Sequence, residues 1–299
     1  MRSLTVAVVL FTSLVPVVWA QGMQHGLGQE KKLELTEGEQ QKIAEHIENW
    51  RPQGETPEAK GQSIVDEAER RGEGYGDMSA ELEMIIRNAR GAEARRELEV
   101  RSLETEDGAR SLTVVQAPKD VRGTALLTHT YDQKDDEQWV YFPAVKRVKR
   151  IAARGKSGPF MGSEFSYEDF SAQSSEKYNY RYLGEDTVTM ESGESIDCYQ
   201  VERIPKPEAE SSYSRHMSWV EKKNLWLVRV EFYDQNDDHL KTLQAGNFEL
   251  YKDRYWRPRE LVMTNVRTRG VSILRWSNLQ FGQGMSERDF DIDSLKAAR

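Results

Sequence analysis

Residues 225–238 read LWLVRVEFYDQNDD: nine residues, seven of them apolar, then five polar ones. Trp226, Val228, Val230 and Phe232 alternate with Leu227, Arg229 and Glu231, so the segment has a period of two. That period belongs to a β-strand with one face buried, and the β-branched and aromatic content agrees with it. Asp234 to Asp238 begins like a calcium loop, but His239 stands where the central glycine belongs and Ala245 where the closing glutamate belongs. The segment therefore reads as a hairpin turn, and the next strand, near Leu243 to Tyr251, lies antiparallel to the first.

The same grammar extends in both directions. Downstream, Glu260 to Thr268 and Val271 to Phe281 read as strands. Upstream, strand patterns surround Leu82–Ile86, Leu98–Val100, Leu112–Val114, Leu126, Gln138–Phe142, Tyr178–Tyr182, Cys198–Ile204 and Tyr213–Glu221. About eleven strands joined mostly by short turns predict one wide antiparallel sheet, which has to curl to protect its edges and bury a face. Helical patterns fall only at the two ends of the chain. Thr36 with Glu39 forms a capping-box pattern ahead of Ile43, Ile47 and Trp50, and Thr56-Pro57 opens a second helix over about 58–71 with Ile64, Val65 and Ala68 on one side. Ser286 to Ala297 closes the chain as a helix carrying Phe290 and Leu295. The expected class is α+β: a large curled antiparallel sheet, an incomplete barrel, covered by N-terminal and C-terminal helices.

The first twenty residues set the compartment. Arg2 precedes the apolar stretch Leu4–Leu14, and Val18-Trp19-Ala20 supplies a small-residue ending, the order of a secretory signal peptide cleaved after Ala20. The competing reading is an uncleaved anchor, which Pro16 and the Val-x-Ala ending disfavour. No cysteine follows Ala20, so lipidation there is not expected. Losing Arg2 with the leader takes the formal net charge from −8 to −9, and a mildly acidic chain argues against general nucleic-acid binding. The lone Cys198 allows neither an internal disulfide nor a cysteine metal cluster and reads as an apolar filler on a strand. The chain divides into the signal peptide (1–20), a polar leader with the first helix (21–56) and the sheet domain (57–299).

Catalytic signatures are missing. His25, His46, His129, His216 and His239 have no metal-ligand spacing, and no nucleophile elbow, phosphate loop or dinucleotide fingerprint occurs. His129 and His216, on expected strands, are acid–base candidates only in the weak sense that strand histidines can be buried. No catalytic residue, cofactor or metal is therefore expected. Two other features stand out. Lys146-Arg147-Val148-Lys149-Arg150 is a basic run in an acidic chain; it reads either as a solvated strand edge or as a docking patch for an acidic partner or anionic headgroups. Gly155 to Phe170 follows, with glycines alternating with Phe160, Met161, Phe165 and Phe170; it either lines and gates an apolar cavity or is pinned to the core through Phe160 and Phe165.

The run QWVYFPAVKRVKRI (138–151), followed by Gly158 to Phe170 with Phe160-Met161-Gly162-Ser163, resembles the outer-membrane lipoprotein-sorting, LolA-like family. Pro118 through Gly123-Thr124-Ala125-Leu126-Leu127 resembles the family stretch ahead of it, and the likeness extends loosely from about Pro57 to the C-terminus. The resemblance implies a half-barrel with a helical lid, acyl chains held inside, a periplasmic location, no cofactor and no reaction. It also implies, for this branch, association with membrane transporters of the resistance-nodulation-division (RND) type. On this reading the expected function is a monomeric carrier of lipid or lipoprotein. The cavity or its mouth is expected at Trp139, Tyr141, Phe160, Met161 and Phe165, the inner wall at Trp226, Val228, Val230 and Phe232, and docking at Lys146, Arg147, Lys149 and Arg150. The rival function is a non-carrier docking subunit of an envelope transporter, favoured if the interior is packed solid by its own side chains.

Overall fold

In the computed structural model, residues 37–171 and 174–297 are described; the signal-peptide and Thr36 capping expectations lie outside them. Helix α1 (Glu37–Asn49) leads into α2 (Pro57–Gly72). Then come β1 (Asp77–Arg87), β2 (Glu93–Thr105), β3 (Gly108–Ala117), β4 (Ala125–Tyr131), β5 (Glu137–Phe142) and β6 (Arg147–Ile151). After a long connection follow β7 (Tyr178–Thr189), β8 (Ser195–Pro205), β9 (Arg215–Glu221), β10 (Leu227–Tyr233), β11 (His239–Tyr251), β12 (Tyr255–Asn265) and β13 (Val271–Phe281). A short 3-10 turn (Glu287–Phe290) and α3 (Ile292–Ala297) end the described chain. Among the described residues no helix is long and apolar enough to cross a membrane.

The strands form one antiparallel sheet in the order β6-β5-β4-β3-β2-β1-β13-β12-β11-β10-β9-β8-β7. The chain walks outward from β1 to one edge at β6, crosses to the opposite edge at β7, and walks back until β13 pairs with β1. The sheet is therefore a curled meander open at one seam, between β6 and β7, and not a closed barrel. Its inner surface is one apolar cluster drawn from both arms, including Met84 and Leu98 from one side and Leu243, Met263 and Leu274 from the other.

Two features blurred the period-two pattern. The arm β3–β5 is covered on its outer face too, where Phe290 and Leu295 pack on Leu112, Val114 and Leu127, so β4 is buried almost throughout. In β10 a bulge lies between Leu227 and Arg229. A bulge adds one residue and exchanges the faces beyond it. The expectation that Val228 shares a face with Val230 and Phe232 is therefore corrected. Val230 and Phe232 join the inner cluster, while Val228 packs outside with Cys198, Met217 and Trp219. The expected closing helix at Ser286–Ala297 is broken at Asp291, whose backbone is extended.

Candidate functional site

The segment between β6 and β7 runs across the inside of the curl. Phe160 and Phe165 are fully buried among inner-face residues of both arms, and the Phe170 ring packs tilted against Phe160 with ring centroids 4.5 Å apart. The backbone of this plug folds on itself, with the Phe160 amide donating to the Phe165 carbonyl at 2.7 Å. Polar side chains tie it to the sheet on both sides of the seam. Gln138 on β5 donates to the Tyr167 carbonyl at 2.8 Å, and Ser272 on β13 accepts from the Glu164 amide at 2.9 Å. Lys241 on β11 donates to the Glu164 carbonyl and, at 2.5 Å, to the Asp169 carboxylate. Both members of that ion pair are almost wholly excluded from solvent. The Tyr213 hydroxyl and the Ser166 amide complete the shell of Asp169, at 2.8 and 2.7 Å.

A second cover lies farther along the β7 arm. Thr56 caps α2 by accepting from the Ala59 amide at 3.1 Å, with Pro57 in the first turn. One face of α2 settles on β7–β10. The approach is close because Gly61 has no side chain: a Cβ there would stand 2.8 Å from the backbone nitrogens of Arg181 and Tyr182. Beneath α2 lies a cavity of about 90 Å³ lined by Ile64, Val65, Ala68, Tyr180, Val201, Val220, Leu225, Leu227 and Val230, with Glu69, Arg203 and Ser218 as its polar members. Burial pushes the Glu69 carboxyl up to about 8, against a hydrogen bond from Ser175 and with help from Asp66 and Glu73. Helix α1 touches this assembly through the pairs His46–Glu67 and Lys223–Glu48, and Trp50 just after it packs against Tyr199.

A row of side chains on paired strands links the two covers. Tyr180, Arg203, His216, Phe232, Lys241 and Asn265 are cross-strand neighbours from β7 to β12. Burial, and then the nearby Arg203 and Lys241, hold the His216 imidazole far below its usual range, so it stays neutral. His129 lies in the other arm, where its Nε2 meets the Phe290 carbonyl at 2.7 Å and fixes the C-terminal turn. The two histidines do not converge.

Of the residues marked in the sequence, Phe160, Phe165, Val230 and Phe232 meet in the interior, with Met161 at its border. Trp139 and Tyr141 do not. Gln138 and Val140 take the inward positions of β5, and alternation turns Trp139 and Tyr141 outward, onto the cluster covered by Phe290 and Leu295. Trp226 stands before β10 and stacks on Phe248 at 4.5 Å, leaning on Trp256. Lys146, Arg147, Lys149 and Arg150 are exposed on the free edge strand β6 and the turn before it, beside exposed Phe142 and Val145. Arg150 pairs with Glu137 at 2.7 Å. Sequence reasoning missed Glu69, Asp169, Arg203 and Lys241. Glu69, Arg203 and Lys241 carry only the local signal of a charge at an inward-facing helix or strand position, and Asp169 lies in the plug between β6 and β7.

A family described only as an uncharacterized protein matches residues 107–297. Among solved structures, a domain from Vibrio parahaemolyticus assigned to the outer-membrane lipoprotein-sorting proteins is 42% identical, over 79% of this chain and 98% of its own, with a TM-score of 0.74. A DUF1329 family protein from Desulfovibrio piger is 30% identical, over 81% of this chain and 100% of its own, also at 0.74. A LolA superfamily protein from Nitrosomonas europaea, 20% identical over 81% of this chain and 100% of its own, shares the fold at 0.63. Among curated proteins no match is found.

Proposed function

Because this chain belongs to the outer-membrane lipoprotein-sorting, LolA-like family, we propose that it is a periplasmic carrier holding lipid acyl chains or a lipoprotein for transfer to or from the outer membrane. The observation that carries the reading is a largely apolar interior with two elements packed over it, the plug at 156–171 and helix α2. No chemistry is required of such a protein. An acyl chain gains about 0.8 kcal/mol per methylene withdrawn from water. A chain of about a dozen methylenes gains roughly 10 kcal/mol gross, before ordering costs. Covers that bury the same surface in the empty state compete with the cargo and make release possible. The cavity beneath α2, at about 90 Å³, is far below the roughly 300–1,000 Å³ of a typical ligand site. Loading therefore requires α2, the plug or both to move aside. The exposed Phe142 and Val145 beside Lys146, Arg147 and Lys149 suit contact with an anionic membrane surface or an acidic partner, such as an RND-type transporter.

The same small cavity favours a second reading, a docking subunit of such a transporter whose interior never opens. Native mass spectrometry with lipid extraction on periplasmic protein, joined to uptake of a fluorescent acyl chain, separates the two. Stoichiometric lipid or lipoprotein supports the carrier; empty protein that takes up no probe leaves the docking subunit.

A further inference from the structure

The wall of the cavity beneath α2 carries a cation without an anion. Among the described residues Arg71 pairs with Glu67 at 2.5 Å, Lys177 with Asp136 at 2.5 Å, and Lys241 with Asp169. The half-buried Arg203 has no such pair. Among the described residues no carboxylate lies within 4.0 Å of it, and its guanidinium donates no hydrogen bond to another described side chain or carbonyl. Its Nε is buried and unsatisfied, and its guanidinium carbon sits 4.6 Å from the centre of the Tyr178 ring. Arg203 is half-buried, and its guanidinium remains partly within reach of solvent, but its Nε is shut off without an acceptor, which leaves a donor free for a ligand that enters the cavity. The carboxyl that shares the cavity, Glu69, does not supply the counter-charge, since burial keeps it protonated near neutral pH. A guanidinium fork next to a protonated carboxyl offers parallel donors, the arrangement that carboxylate and phosphate oxygens accept.

We propose that the cavity beneath α2 binds an anionic amphiphile, its head on Arg203 and its acyl chain along Ile64, Val201 and Leu227. The proposal rests on the carrier reading and narrows it. The acylated end of a lipoprotein carries ester- and amide-linked chains without an anion, whereas a fatty acid or a lysophospholipid brings one. Arg203 thus selects free anionic lipid. The chain enters as α2 lifts, because the closed cavity is too small for it.

The test uses the full chain, with oleate and oleoyl-lysophosphatidylglycerol as the two anionic sources and oleyl alcohol as the neutral control of equal chain length. Wild type is expected to bind at least one anion about tenfold or more tightly than the alcohol. Arg203→Met keeps much of the apolar stem and is expected to lower anion affinity to that of the alcohol while leaving the alcohol unchanged. Arg203→Lys, which retains charge but not the fork, is expected to fall between. Preference for oleate alone identifies a carboxylate ligand, and preference for the lysophospholipid a phosphate one. Equal binding of alcohol and anions by wild type overturns the proposal and leaves the carrier intact. Retention of the preference in Arg203→Met overturns it in the same way. Failure of every probe to bind overturns both. If Arg203→Met does not fold, the Lys variant and the wild-type preference decide.

Discussion

Lys241 and Asp169 meet at 2.5 Å in the interior, 72 residues apart in sequence, and together they hold the plug to β11. Removing one partner of a buried pair strands the other charge, at a cost of about 3–5 kcal/mol. Lys241→Met is therefore expected to lower the unfolding free energy by that order in urea, and the double variant Lys241→Met/Asp169→Leu to regain much of it. Destabilisation of the double variant equal to the sum of the singles would show that the two charges act independently. Glu69 makes a pH-dependent contribution of opposite character to an ordinary surface carboxylate. Its folded pKa, about 8, is above the usual 4.5, so the stability it lends is fully present below about 4.5 and is lost as pH rises through about 8. The neighbours that tune it are Ser175, Asp66 and Glu73, the last itself pushed up to about 7 by burial and by Glu104 and Asp132. Hydrogen exchange in α2, corrected for its intrinsic pH dependence, is expected to show weaker protection at pH 8.5 than at pH 6, and Glu69→Gln to flatten that trend. None of this was legible in the sequence. Lys241 precedes Thr242 and Leu243 in what reads as an ordinary half-exposed strand, and only the fold brings Asp169 to it.

At the scale of elements, α2 was legible almost to the residue because its start is written locally, in Thr56 and Pro57. That it covers the sheet was expected too, but not which strands, since β7 begins over a hundred residues later. Gly61 joins the two. Within the helix it reads as a weak position costing about 1 kcal/mol of propensity relative to alanine. In the fold it lets the helix backbone lie on β7. Gly61→Ala is thus expected to act against its propensity: it should loosen α2, speed exchange of α2 amides and raise the rate of acyl-probe uptake, with little change in exchange of β1 and β13. Unchanged uptake with slower α2 exchange would mean that the helix accommodates the methyl group and gains from it. The β10 bulge shows the opposite failure. The alternation of Trp226, Val228, Val230 and Phe232 was real in sequence, but one extra residue at the strand start moved Val228 to the far face. Likewise Trp139 and Tyr141 carry the family's motif yet serve the packing of Phe290 and Leu295, so a motif aromatic here marks the fold and not the interior.

For the molecule as a whole, the antiparallel meander followed from short turns, whereas the pairing of β1 with β13 and the seam between β6 and β7 are long-range facts that no local pattern states. That seam sets how the protein can open. Every other strand has two hydrogen-bonded neighbours; β6 and β7 have one each, and what spans them is the plug. An interior filled largely by its own side chains, with a cavity of only about 90 Å³ beneath α2, cannot admit an acyl chain without losing something now in it. The elements held by the fewest long-range hydrogen bonds are the ones that yield first. By that criterion α1 and α2 open before the plug, which is fixed through Gln138, Ser272, Lys241 and Asn265. Loading with a single-chain lipid is therefore expected to increase hydrogen exchange in 57–72 while 156–171 stays protected. A cargo with two or three chains is expected to expose both segments, because the space under α2 alone cannot take it. The comparison needs one exchange experiment on empty, singly loaded and multiply loaded protein. Exposure of 156–171 already with the single chain would reverse the order of opening and make the plug, with its Asp169–Lys241 latch, the primary gate.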